Sequence, residues 1–145
     1  MATYFGDLQH TAVIGQSIIP GAAVTASANG LGVDMILGDA NNFNVLLTSG
    51  VYDVTSSNET YVVNITESDD NITFVPLATP VSFSLTAAGG ASGLAVPMAA
   101  WGMRSKRYLR AELVIGGTTP SITGLTAIFI ERLKISGVGG GNYSA

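Results

Sequence analysis

The sequence predicts an all-β protein: an antiparallel, jelly-roll-like β-sandwich of about eight short strands. Short segments alternate apolar and polar residues, turn-forming residues recur about every ten positions, and no stretch has the apolar spacing of an amphipathic helix. The length of 145 residues suits a single domain. Alternation alone does not separate a jelly roll from an immunoglobulin-like sandwich, so both topologies stay open at this point.

The predicted strands follow this alternation in chain order, and the clearest lies at 81–86, where Val, Phe and Leu alternate with Ser, Ser and Thr. They are residues 33–37, 43–48, 61–66, 72–77, 81–86, 94–98, 106–115 and 124–130. Residues 1–32 read as an extended N-terminal arm, with one extended segment at 11–19, because they offer few large apolar side chains. The sandwich domain is then predicted over 33–134. Residues 135–145 form a Gly-rich tail that we expect to be flexible.

The composition narrows the functional classes. Charged residues are only 11% of the chain, against an average of about 25%. Such a composition suits a protein that packs against other copies better than a free monomer. The chain has no cysteine, which excludes disulfides, thiolate zinc sites and cysteine nucleophiles. We expect no secretion signal, no membrane partner and, because the net charge is −4, no general nucleic-acid binding.

Charge is unevenly distributed along the chain. All six Lys and Arg residues follow Met103, whereas eight of the ten acids precede Asn71. This division predicts a bipolar molecule that docks one end on an acidic protein surface or on another copy of itself. A chance distribution over a solvated surface is the alternative.

The strand 106–115, with its basic entry, is the candidate site. We call the following residues the basic cluster: Arg104, Lys106, Arg107, Tyr108 and Arg110. Alternation turns their strand neighbours inward, and the predicted core-forming residues are Leu109, Leu113, Ile115, Leu125 and Phe129. The basic cluster fits a protein interface, where Tyr and Arg are enriched, stacking on a nucleic acid or sugar, or an ordinary solvated strand face. Trp101, just upstream, is expected in the core.

No set of residues predicts catalysis. His10 is the only histidine, so histidine metal clusters are excluded, and no nucleophile motif accompanies it. The pair Asp69-Asp70 fits a hairpin turn better than a calcium site, because the spaced acidic pattern of calcium loops is missing. The glycines at 137–141 lack the context of a phosphate loop. We therefore predict no enzyme, no catalytic or metal-binding residue and no cofactor.

Three segments together carry a resemblance to a known family. They are the strand and turn at 61–70 with Phe74 after it, the strand at 106–115 with its Arg-Tyr-Leu-Arg core, and the Gly-Gly-Thr-Thr-Pro connection at 116–120 into 124–130. In this order and spacing they resemble the small jelly-roll cement, or decoration, proteins of tailed-bacteriophage heads. The resemblance covers about residues 33–130. The longer N-terminal segment and the Gly-rich tail depart from the family pattern.

The resemblance implies a non-enzymatic structural role. Such proteins bind the outside of an icosahedral phage head, bridge neighbouring capsomers and stabilise the shell. The implied partners are the major capsid protein and a second copy of the chain, as a homodimer or alternatively a trimer. The implied location is the outer surface of the virion, after synthesis in the bacterial cytoplasm. On this reading the shell is acidic where the basic cluster lands, and Arg107→Glu/Arg110→Glu protein should bind it poorly.

The alternative is a carbohydrate-binding jelly-roll module. The hairpin Ser68-Asp69-Asp70 with Phe74, and the strand from Arg107 to Arg110, also resemble segments of discoidin-like domains. The single tryptophan and the lack of cysteines argue against this interpretation.

Overall fold

The structure is a computed structural model, and it describes residues 11–18, 22–35, 41–85, 93–94 and 98–132. Within these residues the chain forms strands and no helix. The strands are β1 (Thr11–Ile18), β2 (Ala28–Asn29), β3 (Val33–Asp34), β4 (Asn42–Thr48), β5 (Val51–Tyr52), β6 (Thr60–Ser68), β7 (Val75–Leu85), β8 (Gly93–Leu94), β9 (Met98–Met103), β10 (Tyr108–Gly116) and β11 (Thr126–Arg132).

Two main sheets pack face to face. Sheet 1 has the order β1-β11-β4-β9, and sheet 2 has the order β2-β10-β6-β7, with β3 also paired to β10. The short strands β5 and β8 form a separate pair. Every described strand pair is antiparallel. The predicted all-β antiparallel sandwich is therefore confirmed.

The core lies between the inner faces of the two sheets. Phe43 of β4 meets Phe129 of β11 edge to face, with ring centroids 6.0 Å apart. Of the predicted core residues, Leu109, Leu113, Leu125 and Phe129 are fully buried. Ile115 is only partly buried, because it lies near the end of β10, where the core ends.

The predicted N-terminal arm is wrong for the residues that the structure describes there. The whole of β1 pairs with β11, and β2 pairs with β10, so the sandwich begins well before residue 33. The ladder with β11 and the buried Ser17 hold the described part of this segment in the sandwich. The Ser17 hydroxyl donates to the Leu31 carbonyl (2.7 Å) and accepts from the Ala111 N–H (3.0 Å). Residues 1–10 and the predicted tail lie outside the described residues.

Two edge strands also differ from prediction. The strands predicted at 72–77 and 81–86 fall largely on one strand, β7 (Val75–Leu85), which accommodates Pro76 and Pro80 because it lies at a sheet edge. The strand predicted at 94–98 is wrong in its bounds, because Leu94 belongs to β8, whereas Met98 begins β9, which continues to Met103. Gly102 permits the close packing of β9, since a Cβ there would lie 2.6 Å from the Phe43 ring.

Candidate partner-binding surfaces

The basic cluster lies at one end of the sandwich, on the connection from β9 to β10 and on β10 itself. The pairing of Tyr108 with both Ser68 and Asp34 brings the β6–β7 hairpin and the end of β3 to the same end. Acids from the first half of the chain therefore lie beside these cations.

The two exposed cations of the cluster each bind one of those acids. Arg107 forms a two-pronged contact with Asp34, at 3.1 Å from Nε and 2.8 Å from Nη2, and its guanidinium carbon lies 5.1 Å from the Tyr108 ring centroid. Lys106 Nζ lies 2.5 Å from Asp69 Oδ2. These hydrogen bonds raise the pKa of both Arg107 and Lys106.

The other two cations are engaged as well. Arg110 forms an ion pair with Glu112, and its guanidinium carbon lies 3.9 Å from the centroid of the Phe74 ring. Arg104 donates to two backbone carbonyls, those of Met35 and Lys106, each at 2.9 Å. Arg104 therefore fastens the β9–β10 connection onto the segment that follows β3.

Glu67 of β6 binds the β9–β10 connection at this end of the sandwich, and the sequence analysis did not identify it. Its buried carboxylate accepts hydrogen bonds from the Ser105 N–H (2.6 Å), the Ser105 hydroxyl (2.7 Å) and the Lys106 N–H (3.1 Å). The available signal was its inward phase in β6, where an ionised residue needs several partners. Glu67 fixes the connection that carries the basic cluster.

The prediction that charge division along the chain gives a bipolar molecule is wrong at this end. The antiparallel topology places Asp34, Glu67 and Asp69 against the cations that were expected to face a partner. A partner acid would have to compete with these contacts. Whether the basic cluster binds a partner stays a prediction.

The acidic hairpin is a turn, as predicted. Asp70 Oδ1 accepts from the Thr73 N–H (2.8 Å), the Ile72 N–H (2.9 Å) and the Ser68 hydroxyl (2.8 Å). These bonds, with the one from Thr73 the strongest cause, lower the pKa of Asp70 to about 2. Among the described residues, no three His, Cys, Asp or Glu side chains are grouped to hold a metal ion.

A second surface, the outer face of sheet 1, was not expected from the sequence. Its apolar residues, which we call the Trp101 face, are Leu46, Ala99, Trp101, Met103, Ile128 and Ile130. Trp101 is 69% exposed and Met103 54% exposed, so the prediction that Trp101 lies in the core is wrong. The alternation of β9 turns Gly102 inward and therefore turns Trp101 outward.

The Trp101 face is continuous across three strands. Cross-strand pairing places Ala99, Leu46 and Ile128 in one row, and Trp101, Asn44 and Ile130 in the next. Among the described side chains that point outward from sheet 1, none is charged. Large exposed apolar patches often mark interaction sites, so the Trp101 face is a candidate binding surface.

The outer face of sheet 2 has the opposite composition. One cross-strand row contains Glu112, Asn64 and Ser82, and the adjacent row contains Arg110 and Thr66. The Thr66 hydroxyl donates to Glu112 (3.1 Å), so the side chains of this face bind one another. Val114 is its one large exposed apolar residue in β10.

No protein-family model and no curated protein matches this chain. Within the described part of the chain, no helix is long and apolar enough to cross a membrane.

Proposed function

We propose that this protein is a structural component of a bacteriophage capsid, a cement or decoration protein that binds the outer shell surface and bridges neighbouring capsomers. The Trp101 face carries this proposal as the docking surface for the major capsid protein. The family itself comes from the resemblance of segments 61–74, 106–115 and 116–130, and the exposed apolar face supports the protein-binding role.

The composition of the three strands is the physical argument for a covering partner. In β11 the run Ala127-Ile128-Phe129-Ile130 is apolar in both phases, and so is most of β9. Strands apolar in both phases are typical of sheets covered on both faces. Within the described residues only the inner face of sheet 1 is covered, and for this reason we place the partner on the outer face.

The winding of the chain supports the jelly-roll topology that the resemblance implies. The short strands β2 and β3 both pair with β10, and β6 and β7 form a hairpin within sheet 2. Apart from these two pairs, the successive strands of the two main sheets alternate between sheet 1 and sheet 2. Each sheet of four positions interleaves early and late strands, as in the double Greek key of a jelly roll.

A protein that binds an assembled shell in many copies does not need a tight contact between each copy and the shell. A protein that binds only the assembled shell stabilises it by mass action, and many copies act together. Trp is enriched among residues that dominate interface energies, so Trp101 is the proposed anchor. The basic cluster has a secondary place in this proposal, at the rim, where charge affects encounter and orientation more than affinity.

The test is co-sedimentation with purified empty shells assembled from the major capsid protein found in the same genome as this chain's gene. We expect wild type to bind, and Ile128→Lys and Trp101→Ala to bind at least tenfold more weakly, because both disrupt the Trp101 face. The matched control is Val114→Lys, which places the same charge on the opposite face and should bind like wild type.

Three outcomes decide between the surfaces. Failure of wild-type protein to bind overturns the capsid role. Binding of Ile128→Lys equal to that of wild type overturns the Trp101 face as the docking surface. If Arg107→Glu/Arg110→Glu protein folds and alone loses binding, the basic cluster carries the docking instead.

A carbohydrate-binding module is the second candidate, and the exposure of Trp101 is the observation that favours it, since sugar rings stack on exposed aromatic faces. The residues first assigned to this role are occupied: Phe74 packs under Arg110, and Asp70 caps its hairpin. A glycan array with wild type and Trp101→Ala decides the matter. Binding that disappears in Trp101→Ala supports it, and an array without binding removes it.

A further inference from the structure

Among the described residues, the outer edge of β9 is the one long sheet edge without a feature that opposes pairing with another chain. Exposed strand edges template association, and proteins protect them with prolines, charges, bulges or short strands. Each of the other three edges of the two main sheets has such a feature. At β1 it is a bulge between Val13 and Gly15, at β2 and β3 it is a length of two residues, and at β7 it is Pro76 and Pro80.

The β9 edge has none of these features. Met98–Met103 contains no proline and no charged residue, and its register with β4 is unbroken over six residues. Among the described residues β9 pairs only with β4. On its outer side the strand presents one small side chain, Ala99, followed by two large ones, Trp101 and Met103.

We infer that β9 pairs with β9 of a second copy, antiparallel about a two-fold axis perpendicular to sheet 1, to form a continuous eight-stranded sheet. This inference deepens the homodimer that the resemblance to cement proteins implies, and it rests on the proposed function for the choice of a second copy as the partner. The edge carries no charge, so a neutral, identical edge is complementary to it.

The geometry of such a pair explains the order of side chains on β9. A perpendicular two-fold axis keeps both outer faces on the same side of the sheet. In the register centred on Ala100, each Trp101 lies opposite Ala99 of the other copy, so a large side chain meets a small one. The two Trp101 faces then join into one apolar surface directed at the shell.

The length of the β9 edge limits the expected affinity of the dimer. Six strand residues span about 20 Å, which is a narrow strip compared with the roughly 800 Å² per partner of a standard interface. We therefore expect dissociation at about micromolar concentration. Copies held close together on a shell would pair more completely.

The experiment uses the full chain without shells. Sedimentation velocity over a concentration series should show a monomer–dimer equilibrium, and the emission of Trp101, the only tryptophan, should shift to the blue as dimer forms. Hydrogen exchange should show protection of β9 amides that rises with concentration, while β7 amides do not change.

Ala99→Lys places a charge on the edge strand and should weaken dimerisation at least tenfold. Ile128→Lys, on the same face but away from the edge, and Val114→Lys, on the opposite face, are the controls and should dimerise like wild type. A chain that stays monomeric, a dimer that tolerates Ala99→Lys, or a dimer without added β9 protection each overturns the inference. If the protein is monomeric but still binds shells, the β9 pairing is wrong and the capsid role stands. If it forms the β9 dimer but does not bind shells, the pairing stands and the capsid role is wrong.

Discussion

The basic cluster and the Trp101 face are the two candidate surfaces of this protein. The basic cluster is evident in the sequence, whereas the Trp101 face is evident only in the structure. The cluster stands out in the sequence because all the Lys and Arg of the chain follow Met103. In the structure its cations contact Asp34, Asp69, Glu112 or backbone carbonyls. The Trp101 face has no sequence motif, yet its described side chains are uncharged and partly open to solvent.

The difference shows that a surface is available for binding only if the fold leaves its chemistry unsatisfied. Charges in the cluster already have partners, so a new acid gains little beyond what it replaces. Apolar side chains of the Trp101 face gain from any partner that removes them from water. The comparison therefore predicts that changes in the cluster affect folding, whereas changes on the Trp101 face affect binding.

The largest effect on folding is expected for Glu67→Gln. The amide can keep its oxygen on the N–H groups of Ser105 and Lys106 and turn its NH₂ group toward the Ser105 hydroxyl, so the hydrogen bonds remain but lose the charge of the carboxylate. Because hydrogen bonds to a charged group contribute about twice as much as neutral ones, the free energy of unfolding should fall by about 1–3 kcal/mol. Urea denaturation of the two proteins measures this difference.

The control for Glu67→Gln is Asp69→Asn, since Asp69 is exposed and its carboxylate binds the Lys106 side chain. Exposed ion pairs contribute little, so Asp69→Asn should have a much smaller effect. Equal effects of the two substitutions would show that Glu67 does not anchor the connection.

A smaller, pH-dependent effect is expected for Asp70→Asn. The folded-state pKa of about 2 lies below the value of about 3.9 for an unfolded Asp, so the ionised carboxylate stabilises the hairpin above about pH 4. This contribution is lost as the pH falls through about 2, where wild-type Asp70 is protonated. Wild type should therefore be more stable than Asp70→Asn at pH 7, and the difference should disappear near pH 2.

Thermal unfolding at pH 7, 4 and 2 checks this prediction. Thr73→Ala keeps the backbone N–H that binds Asp70 and should have the same pH dependence as wild type. A stability difference between wild type and Asp70→Asn that persists unchanged at pH 2 would contradict the assignment to the Asp70 charge.

Much of the fold followed from alternation, and the failures have a common physical cause. In segments such as 81–86 and 106–115, apolar residues occupy mainly every second position. This alternation predicts both that the segment is a strand and which of its residues point into the core. The edge strands β1 and β9 mix small and large residues without a regular alternation, and backbone ladders join them to β11 and β4. Backbone pairing is not encoded in composition, and the arm and the position of Trp101 were therefore predicted wrongly.

The candidate surfaces were harder to predict than the fold. Residues such as Asp34 and Arg107 are 73 positions apart, and only the pairing of β3 with β10 brings them together. The apolar run at 127–130 was a local signal for a sheet covered on both faces, but the sequence does not show which face a partner covers.

The smallest effect on folding is expected for Trp101→Ala, the same substitution that should weaken shell binding most. Trp101 is 69% exposed in the single chain, so its removal should change the free energy of unfolding by no more than about 0.5 kcal/mol at concentrations where the monomer predominates. Denaturation measured at a low and a high protein concentration separates the two contributions. At high concentration wild type should gain stability through pairing and Trp101→Ala should gain less, because it forms the β9 contact without the large side chain. A loss of several kcal/mol at low concentration would instead mean that Trp101 packs against its own chain, and the face would then be part of the fold and not a surface kept for a partner.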